Sequence, residues 1–197
     1  MYKLLLDSSF KLLVIALAKD NEIIDSIIYD AWQRQSELLV PEIDNIMKRN
    51  NIQKEDIDSI VLGIGPGSYT GVRIALTVAK TMAYVLKAKV YAVSSLSLFG
   101  VKDKETITVT NARSGRSYFA VYKNGEPIVN DTILNNDEVL SYIDTHKDYV
   151  LAGETEHLGL KGEEFDPSYN LLLGLNEKHL VKDIFKLNPV YLKDLYK

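Results

Sequence analysis

A glycine-rich segment at residues 63–71 constrains the fold of this chain more than any other feature. It holds four glycines and one proline in nine positions, and neither a strand nor a helix interior accepts that composition. The apolar run at residues 60–62 precedes it, and residues 72–87 follow it with the periodicity of a helix. The pattern therefore predicts a strand, a tight turn with unusual backbone torsions, and a long helix.

Such a strand–loop–helix junction often holds phosphate, because the free N–H groups at a helix start favour anions. Two common nucleotide motifs do not fit. A P-loop requires a lysine, and none occurs between Ile60 and Ala79. The dinucleotide fingerprint requires a third glycine where Ser68 or Thr70 stands. A purely structural turn that packs the helix onto a sheet is the alternative to a phosphate site, and both stay open at this point.

Apolar alternation and turn residues predict the other elements. The first half is predicted to form three antiparallel strands, a helix, and two strands flanking the glycine-rich turn and its helix, at residues 2–7, 12–18, 22–29, 36–50, 59–64 and 90–93. This is the layout of a ribonuclease-H-like lobe. The second half is predicted to form strands at 106–110, 117–122 and 149–152, helices at 137–146 and 177–187, and turns at 111–116 and 124–125.

Six segments, in order along the chain, resemble the TsaB (YeaZ) family of tRNA-modification proteins: residues 4–9, 34–41, 65–73, 93–96, 111–118 and 189–193. The most specific is the glycine loop, residues 65–73, which matches the family at Gly65, Pro66, Gly67, Ser68, Thr70, Gly71 and Arg73. The chain departs from the family pattern at Gln35, where histidine is common, and at Asn111, where aspartate is usual.

The resemblance implies an α/β protein made of two ribonuclease-H-like lobes of the actin-like ATPase fold. We expect residues 1–95 to form the N-terminal lobe with the partner-binding helices, and residues 96–197 to form a smaller, trimmed C-terminal lobe.

The same resemblance implies a function in bacterial tRNA modification. The chain is expected to be a non-catalytic scaffold subunit of the machinery that makes threonylcarbamoyladenosine in tRNA. It would bind a TsaD-like catalytic subunit, help to recruit a TsaE-like ATPase, and form a homodimer when alone. An enzyme is the alternative: an actin-like nucleotide hydrolase or an M22-type (glyco)peptidase.

The composition limits which partners and which cellular compartment are expected. A net charge of −4 argues against an autonomous nucleic-acid binder. We therefore expect tRNA to be reached only indirectly, through a partner, although a local basic patch is compatible with this charge. The chain contains no cysteine, which agrees with a cytoplasmic location. No apolar run approaches the length of a membrane span, so no membrane contact is expected.

The helix after the glycine loop carries two apolar stripes, whereas a helix packed on one sheet needs only one. The second stripe indicates either burial between layers or a protein–protein contact. Family members pair through their first two helices, so the resemblance favours the contact. The predicted partner-binding residues are Ser36, Leu39, Ile43, Met47, Ile74, Val78, Thr81 and Val85.

The residues offer little for catalysis. The three histidines are 11 and 22 positions apart and no cysteine is present, so we expect neither a metal site nor catalytic residues. In the actin-like fold, nucleotide binds between the lobes. The resemblance therefore leaves room for weak ATP or ADP binding without a required cofactor, and the candidate phosphate contacts are Asp7, Ser8, Asn111 and Gly153. Arg113 and Arg116 are candidate RNA or phosphate contacts, or simply a solvated turn.

Overall fold

Two mixed β-sheets with helices packed against them form the chain in a computed structural model, which describes residues 1–192. The strands are β1 (Tyr2–Asp7), β2 (Leu12–Lys19), β3 (Glu22–Asp30), β4 (Ile57–Gly63), β5 (Lys89–Val93), β6 (Thr106–Arg113), β7 (Arg116–Lys123), β8 (Glu126–Asn135) and β9 (Val150–Gly153). The helices are α1 (Gln35–Arg49), α2 (Tyr69–Leu86), α3 (Asn136–Thr145) and α4 (Pro167–Leu173). Lys193, the last residue of the closing family segment, lies outside the described residues.

The first sheet has the strand order β3-β2-β1-β4-β5. Strands β1, β2 and β3 are antiparallel, whereas β1, β4 and β5 run parallel. Successive side chains point to opposite faces of a strand, and both faces of β1 are buried. Leu4 and Leu6 belong to the core beneath α1 and α2, while Leu5 belongs to the core beneath α4. The five strands and two helices predicted for this half are confirmed, with each strand end within two residues of the prediction.

The second sheet has the order β8-β7-β6-β9, with β6 and β9 parallel and the other pairs antiparallel. This repeats the order of the first four strands of the first sheet, and within residues 1–192 it has no fifth strand. Helix α3 covers one face, where Val139 packs on Phe119 in a shared core. The α/β fold with two lobes and a trimmed second lobe is therefore confirmed.

The C-terminal part returns to the first lobe. Helix α4, which the sequence pattern missed, buries Leu171 completely against Leu5 and Val14 of the first sheet. The boundary predicted at residue 95 stays a prediction, but residues 167–192 pack largely on the first sheet and its helices.

The helix predicted at residues 177–187 was wrong. A single 3-10 turn, Glu177–His179, is followed by irregular chain with one further turn, in which the Lys186 N–H donates to the Asp183 carbonyl at 3.2 Å. The Val181 N–H donates to the Val90 carbonyl and the Val190 N–H donates to the Ile64 carbonyl, both at 2.8 Å. Two backbone hydrogen bonds therefore hold the C-terminal segment on the first lobe, the first of them within the stretch where the sequence pattern predicted a continuous helix.

Candidate functional site

The glycine loop leads from β4 into α2 and lies directly on the turn between β1 and β2. Ser68 caps the helix, because its Oγ accepts a hydrogen bond from the Gly71 N–H at 3.2 Å. Its own N–H donates to the Ser9 carbonyl at 2.7 Å. A Cβ at Gly67 would lie 2.5 Å from the Ser9 carbonyl oxygen, and one at Gly71 would lie 2.2 Å from that of Ser8. Two of the glycines are thus explained by close backbone approach.

The remaining loop residues join the loop to neighbouring segments. Gly65 has a φ of +99° and a cis peptide bond to Pro66, and its N–H donates to the Ser95 Oγ at 3.0 Å. The Arg73 guanidinium lies 3.9 Å from the ring centre of Tyr69. The same side chain donates from Nε to the Tyr191 hydroxyl at 2.8 Å. The start of α2 is therefore joined to the C-terminal segment.

Asp7 is buried behind this loop. Its carboxylate accepts hydrogen bonds from the Ser9 N–H at 2.8 Å, the Ser9 hydroxyl at 2.9 Å and the Ser95 hydroxyl at 2.7 Å. Burial raises the pKa of Asp7 to about 6, although these three donors act to lower it. The Ser8 hydroxyl donates to the Gly71 carbonyl at 2.7 Å. Asp7 and Ser8 are thus bonded within the protein, holding the β1–β2 turn and the glycine loop together.

A cleft of about 340 Å³ separates the two lobes. Its walls combine the β1–β2 turn, the start of α2, the β6–β7 hairpin and the C-terminal segment, through Ser9, Phe10, Trp32, Gly67, Ser68, Tyr69, Thr70, Asn111, Arg113, Tyr118, Glu154 and Tyr191. The aromatic lining residues were not among the predicted site residues, although Tyr69, Tyr118 and Tyr191 lie in segments that resemble the family. These segments are far apart in the chain, and only the fold brings their rings to one cleft.

Only one of the four candidate phosphate contacts lines this cleft. Asn111 lies in its wall, where its Oδ1 accepts a hydrogen bond from the Arg113 N–H at 2.7 Å. Asp7, Ser8 and Gly153 are not among the lining residues. Gly153 has a φ of +112°, and a Cβ there would lie 2.2 Å from the Val109 carbonyl oxygen. Gly153 therefore serves strand packing rather than the cleft wall.

Glu154 carries the only carboxylate among the described residues that line the cleft, and it contacts both lobes. Its Oε1 accepts a hydrogen bond from the Lys11 N–H of the first lobe at 3.3 Å, and the Asn111 backbone of the second lobe bonds to it as well. Burial is the main cause that raises the pKa of Glu154.

His157 is also held by the protein. Its Nε2 lies 2.7 Å from the Ser117 hydroxyl and its Nδ1 lies 2.7 Å from the Glu154 carbonyl. A serine–histidine pair of this kind is the geometry of an activated nucleophile. Ser117, however, is fully buried, so this structure exposes no nucleophile to a substrate there.

Neither a metal site nor a membrane span is found in residues 1–192. No three histidine, cysteine, aspartate or glutamate side chains in this part of the chain lie close enough to hold a metal ion. None of the helices there is both long enough and apolar enough to cross a membrane.

The predicted partner-binding residues fall into three groups: buried, half-buried and exposed. Leu39, Ile43 and Met47 were placed wrongly, because they are buried against the first sheet and lie in the core of the chain itself. Ile74 and Val78 are half-buried beside that core. Ser36, Thr81 and Val85 are exposed, as is Val40, which the prediction omitted. We refer to the six outward residues, Ser36, Val40, Ile74, Val78, Thr81 and Val85, as the α1–α2 surface.

Residues 29–180 match the family model for TsaD, described as tRNA N6-adenosine threonylcarbamoyltransferase. The chain belongs to this family, among its TsaB/YeaZ proteins. The TsaB protein of Bacillus subtilis is 34% identical, over 65% of this chain and 59% of its own length. The uncharacterized protein MG208 of Mycoplasma genitalium is 26% identical, over 98% of this chain and 95% of its own length. The match to the named TsaB protein thus spans about three-fifths of that relative.

The TsaB/YeaZ fold extends along the described chain. YeaZ from Pseudomonas aeruginosa superposes with a TM-score of 0.77, covering 97% of this chain and 99% of that one at 23% sequence identity. At this identity the superposition establishes the fold, the actin-like arrangement of two lobes, and leaves the chemistry to be argued from the site.

Proposed function

We propose that the chain is a non-catalytic scaffold subunit of the bacterial machinery that makes threonylcarbamoyladenosine in tRNA. It binds and supports a TsaD-like catalytic subunit and helps to recruit a TsaE-like ATPase through the assembled complex. Support comes from relatives such as the Bacillus subtilis protein, whose name is tRNA threonylcarbamoyladenosine biosynthesis protein TsaB. The complex works in the cytoplasm, and the catalytic partner makes most of the contacts to tRNA.

The α1–α2 surface is the observation that carries this proposal. Val85 is 64% exposed and Val40 is 56% exposed, although both lie on helices whose inner faces already fill the core. Ile74 and Val78 lie only partly covered on α2. Exposed apolar side chains on two packed helices are typical of an interface with another protein. In isolation, this surface pairs two copies of the chain, and the catalytic partner displaces one copy.

The absence of catalysis is part of the proposal. Within the described residues, the buried Asp7 is occupied by three donors, and the serine of the serine–histidine pair is buried. Among the described residues, the cleft between the lobes has one carboxylate, Glu154, and its Oε1 already accepts a hydrogen bond from the Lys11 N–H, so no uncommitted carboxylate and no second one faces the cleft. A magnesium ion with its nucleotide usually requires one or two carboxylates placed beside the phosphates. We therefore propose weak ATP or ADP binding at most, with no cofactor required.

Substitution of Val85 tests the surface. Val85→Asp buries a charge in the proposed contact, so it should weaken pairing with the TsaD-like subunit by at least about tenfold. Because the side chain is exposed, the variant should fold normally. Light scattering and titration of purified proteins measure both the homodimer and the hetero-complex.

Ile128→Asp is the matched control. Ile128 lies on β8 of the second lobe and is 48% exposed, so it introduces the same charge at an exposed apolar residue away from α1 and α2. This control should pair like the unmodified chain. Equal pairing by the Val85 variant would contradict the proposed surface.

A further inference from the structure

Two exposed aromatic rings and a lysine lie together where α2 meets the C-terminal segment. The Lys87 Nζ lies 4.7 Å from the ring centre of Tyr84. The Tyr84 ring packs edge-on against Phe185, with ring centres 5.7 Å apart. Tyr84 is 56% exposed and Phe185 is 71% exposed. The scaffold proposal assigns no role to these rings.

Further lysines lie beside these rings. The backbone bond from Val181 to Val90 brings Lys182 next to Lys89, and both lysines are exposed. Lys186 follows Phe185, and its side chain is 87% exposed, with its Nζ 3.8 Å from the Asp183 carboxylate. Within residues 1–192, no ion pair to Lys87, Lys89 or Lys182 is found. We call this set the basic-aromatic patch: Tyr84, Lys87, Lys89, Lys182, Phe185 and Lys186.

We propose that the basic-aromatic patch binds RNA directly. Lysines without carboxylate partners neutralise backbone phosphates, which is the main source of affinity for nucleic acid. Exposed aromatic rings among such lysines offer stacking surfaces for unpaired bases. Unpaired RNA thus offers a partner to both parts of the patch, phosphates to the lysines and flat bases to the two exposed rings. The chain as a whole has a net charge of −4, so the clustering of positive charge at this patch is local. A local cluster of lysines of this kind is sufficient for a single contact to RNA.

The position of the patch fits an RNA held mainly by the partner. Tyr84 and Val85 are neighbours on α2, so the patch adjoins the α1–α2 surface on the side that turns toward the C-terminal segment. An RNA bound to the catalytic partner would continue across the junction onto these lysines. This inference rests on the proposed function and adds one direct contact to the otherwise indirect approach of tRNA.

The test measures binding of an unmodified tRNA transcript at several salt concentrations. It uses the chain alone and the chain bound to its TsaD-like subunit. The double variant Lys87→Glu with Lys182→Glu should bind about tenfold more weakly at low salt. Its slope of log affinity against log salt should be shallower by roughly 1.5, since each lost phosphate contact removes about 0.7 to 0.9. The control is Lys147→Glu with Lys161→Glu, two exposed lysines of the second half of the chain, which change the net charge equally and should leave binding unaltered.

A second variant tests the rings. Phe185→Ala should weaken binding several-fold while leaving the salt slope unchanged, because stacking releases no counterions. If the control variant of Lys147 and Lys161 lost as much RNA affinity as the variant of Lys87 and Lys182, the loss would reflect net charge alone. That result would overturn the proposal. Binding to vesicles containing phosphatidylglycerol but not to the transcript would also overturn it, as would no binding to RNA in either form. Failure to form the hetero-complex would contradict the scaffold proposal alone, because the free chain still reports on the patch.

Discussion

Asp7 is a buried carboxyl that joins three segments of the first lobe at a single point. It is 1% exposed and accepts hydrogen bonds from Ser9 and Ser95. Family resemblance directed attention to Asp7 as a phosphate contact, and the position at the end of β1 was correct. Its bonding could not be foreseen, because Ser95 lies 88 positions away along the chain.

The raised pKa of Asp7 predicts a specific dependence of stability on pH. Its folded pKa of about 6 lies above the ordinary value of 3.8, so the folded chain binds the proton more tightly than the unfolded chain does. This contribution to stability is therefore complete below about pH 4 and is lost as pH rises through about 6, by roughly 3 kcal/mol in total. As pH rises from 4 to 7, the unmodified chain should lose this contribution, whereas Asp7→Asn, which has no proton to lose, should not. Urea unfolding at several pH values should therefore show the free energy of unfolding of Asp7→Asn rising relative to that of the unmodified chain.

The control for this experiment is Asp148→Asn, which removes one exposed carboxyl group. If the unmodified chain and Asp7→Asn gave parallel stability curves over the whole range, the raised pKa would be refuted.

Replacing Gly71 by alanine distinguishes two effects that change the free energy of unfolding in opposite directions. Helix propensity alone makes a glycine-to-alanine change within a helix stabilising by about 1 kcal/mol. A Cβ at Gly71 would lie 2.2 Å from the Ser8 carbonyl oxygen, so we expect Gly71→Ala to lower the free energy of unfolding by about 1 to 3 kcal/mol. Thr77→Ala, at an exposed position of the same helix, should be neutral or slightly stabilising. Chemical denaturation measures both, and a stabilised Gly71 variant would refute the close approach.

At the level of elements, the first five strands and two helices could be predicted because each carries its own periodic signal. Helix α2 could also be predicted to have two apolar stripes. Periodicity could not tell the core of the chain from a partner contact, however. Leu39 and Val40 are neighbours on α1, yet one is fully buried and the other is largely exposed. Periodicity places them on different faces of α1, and only the packing of α1 on the first sheet shows which face belongs to the core.

Helix α4 could not be predicted, because it has only seven residues and most of its stability comes from tertiary packing. Its local signals are Pro167 at the first turn and Asp166, whose carboxylate accepts from the Ser168 and Tyr169 N–H groups. Leu171 then anchors it in the core of the first sheet.

Leu171→Ala is expected to test this anchoring. Removing a fully buried leucine leaves a cavity, so the free energy of unfolding should fall by about 2 to 5 kcal/mol. Leu173→Ala, at a half-buried position of the same helix, should lower it by clearly less. Urea denaturation followed by circular dichroism measures both, and equal losses would mean that α4 is not anchored through Leu171.

At the level of the whole molecule, the lobes enclose a cleft that no single segment specifies. The chain contains one tryptophan, Trp32, which lines this cleft and is 43% exposed. Its fluorescence therefore reports directly on ligand entry. Titration with ATP and magnesium should give a small, weakly saturating change and no phosphate release above background. Trp32→Phe, which should remove the signal, is the control, and tight binding with turnover would favour the enzyme alternative.

The scaffold role is the central claim of this account, and complex formation tests it most directly. The purified chain should be mixed with the TsaD-like subunit of its own organism, and the mass of the mixture measured in solution with and without nucleotide. We predict a stable hetero-complex that forms at the expense of the homodimer and is lost in Val85→Asp. Two separate species under every nucleotide condition would contradict the claim.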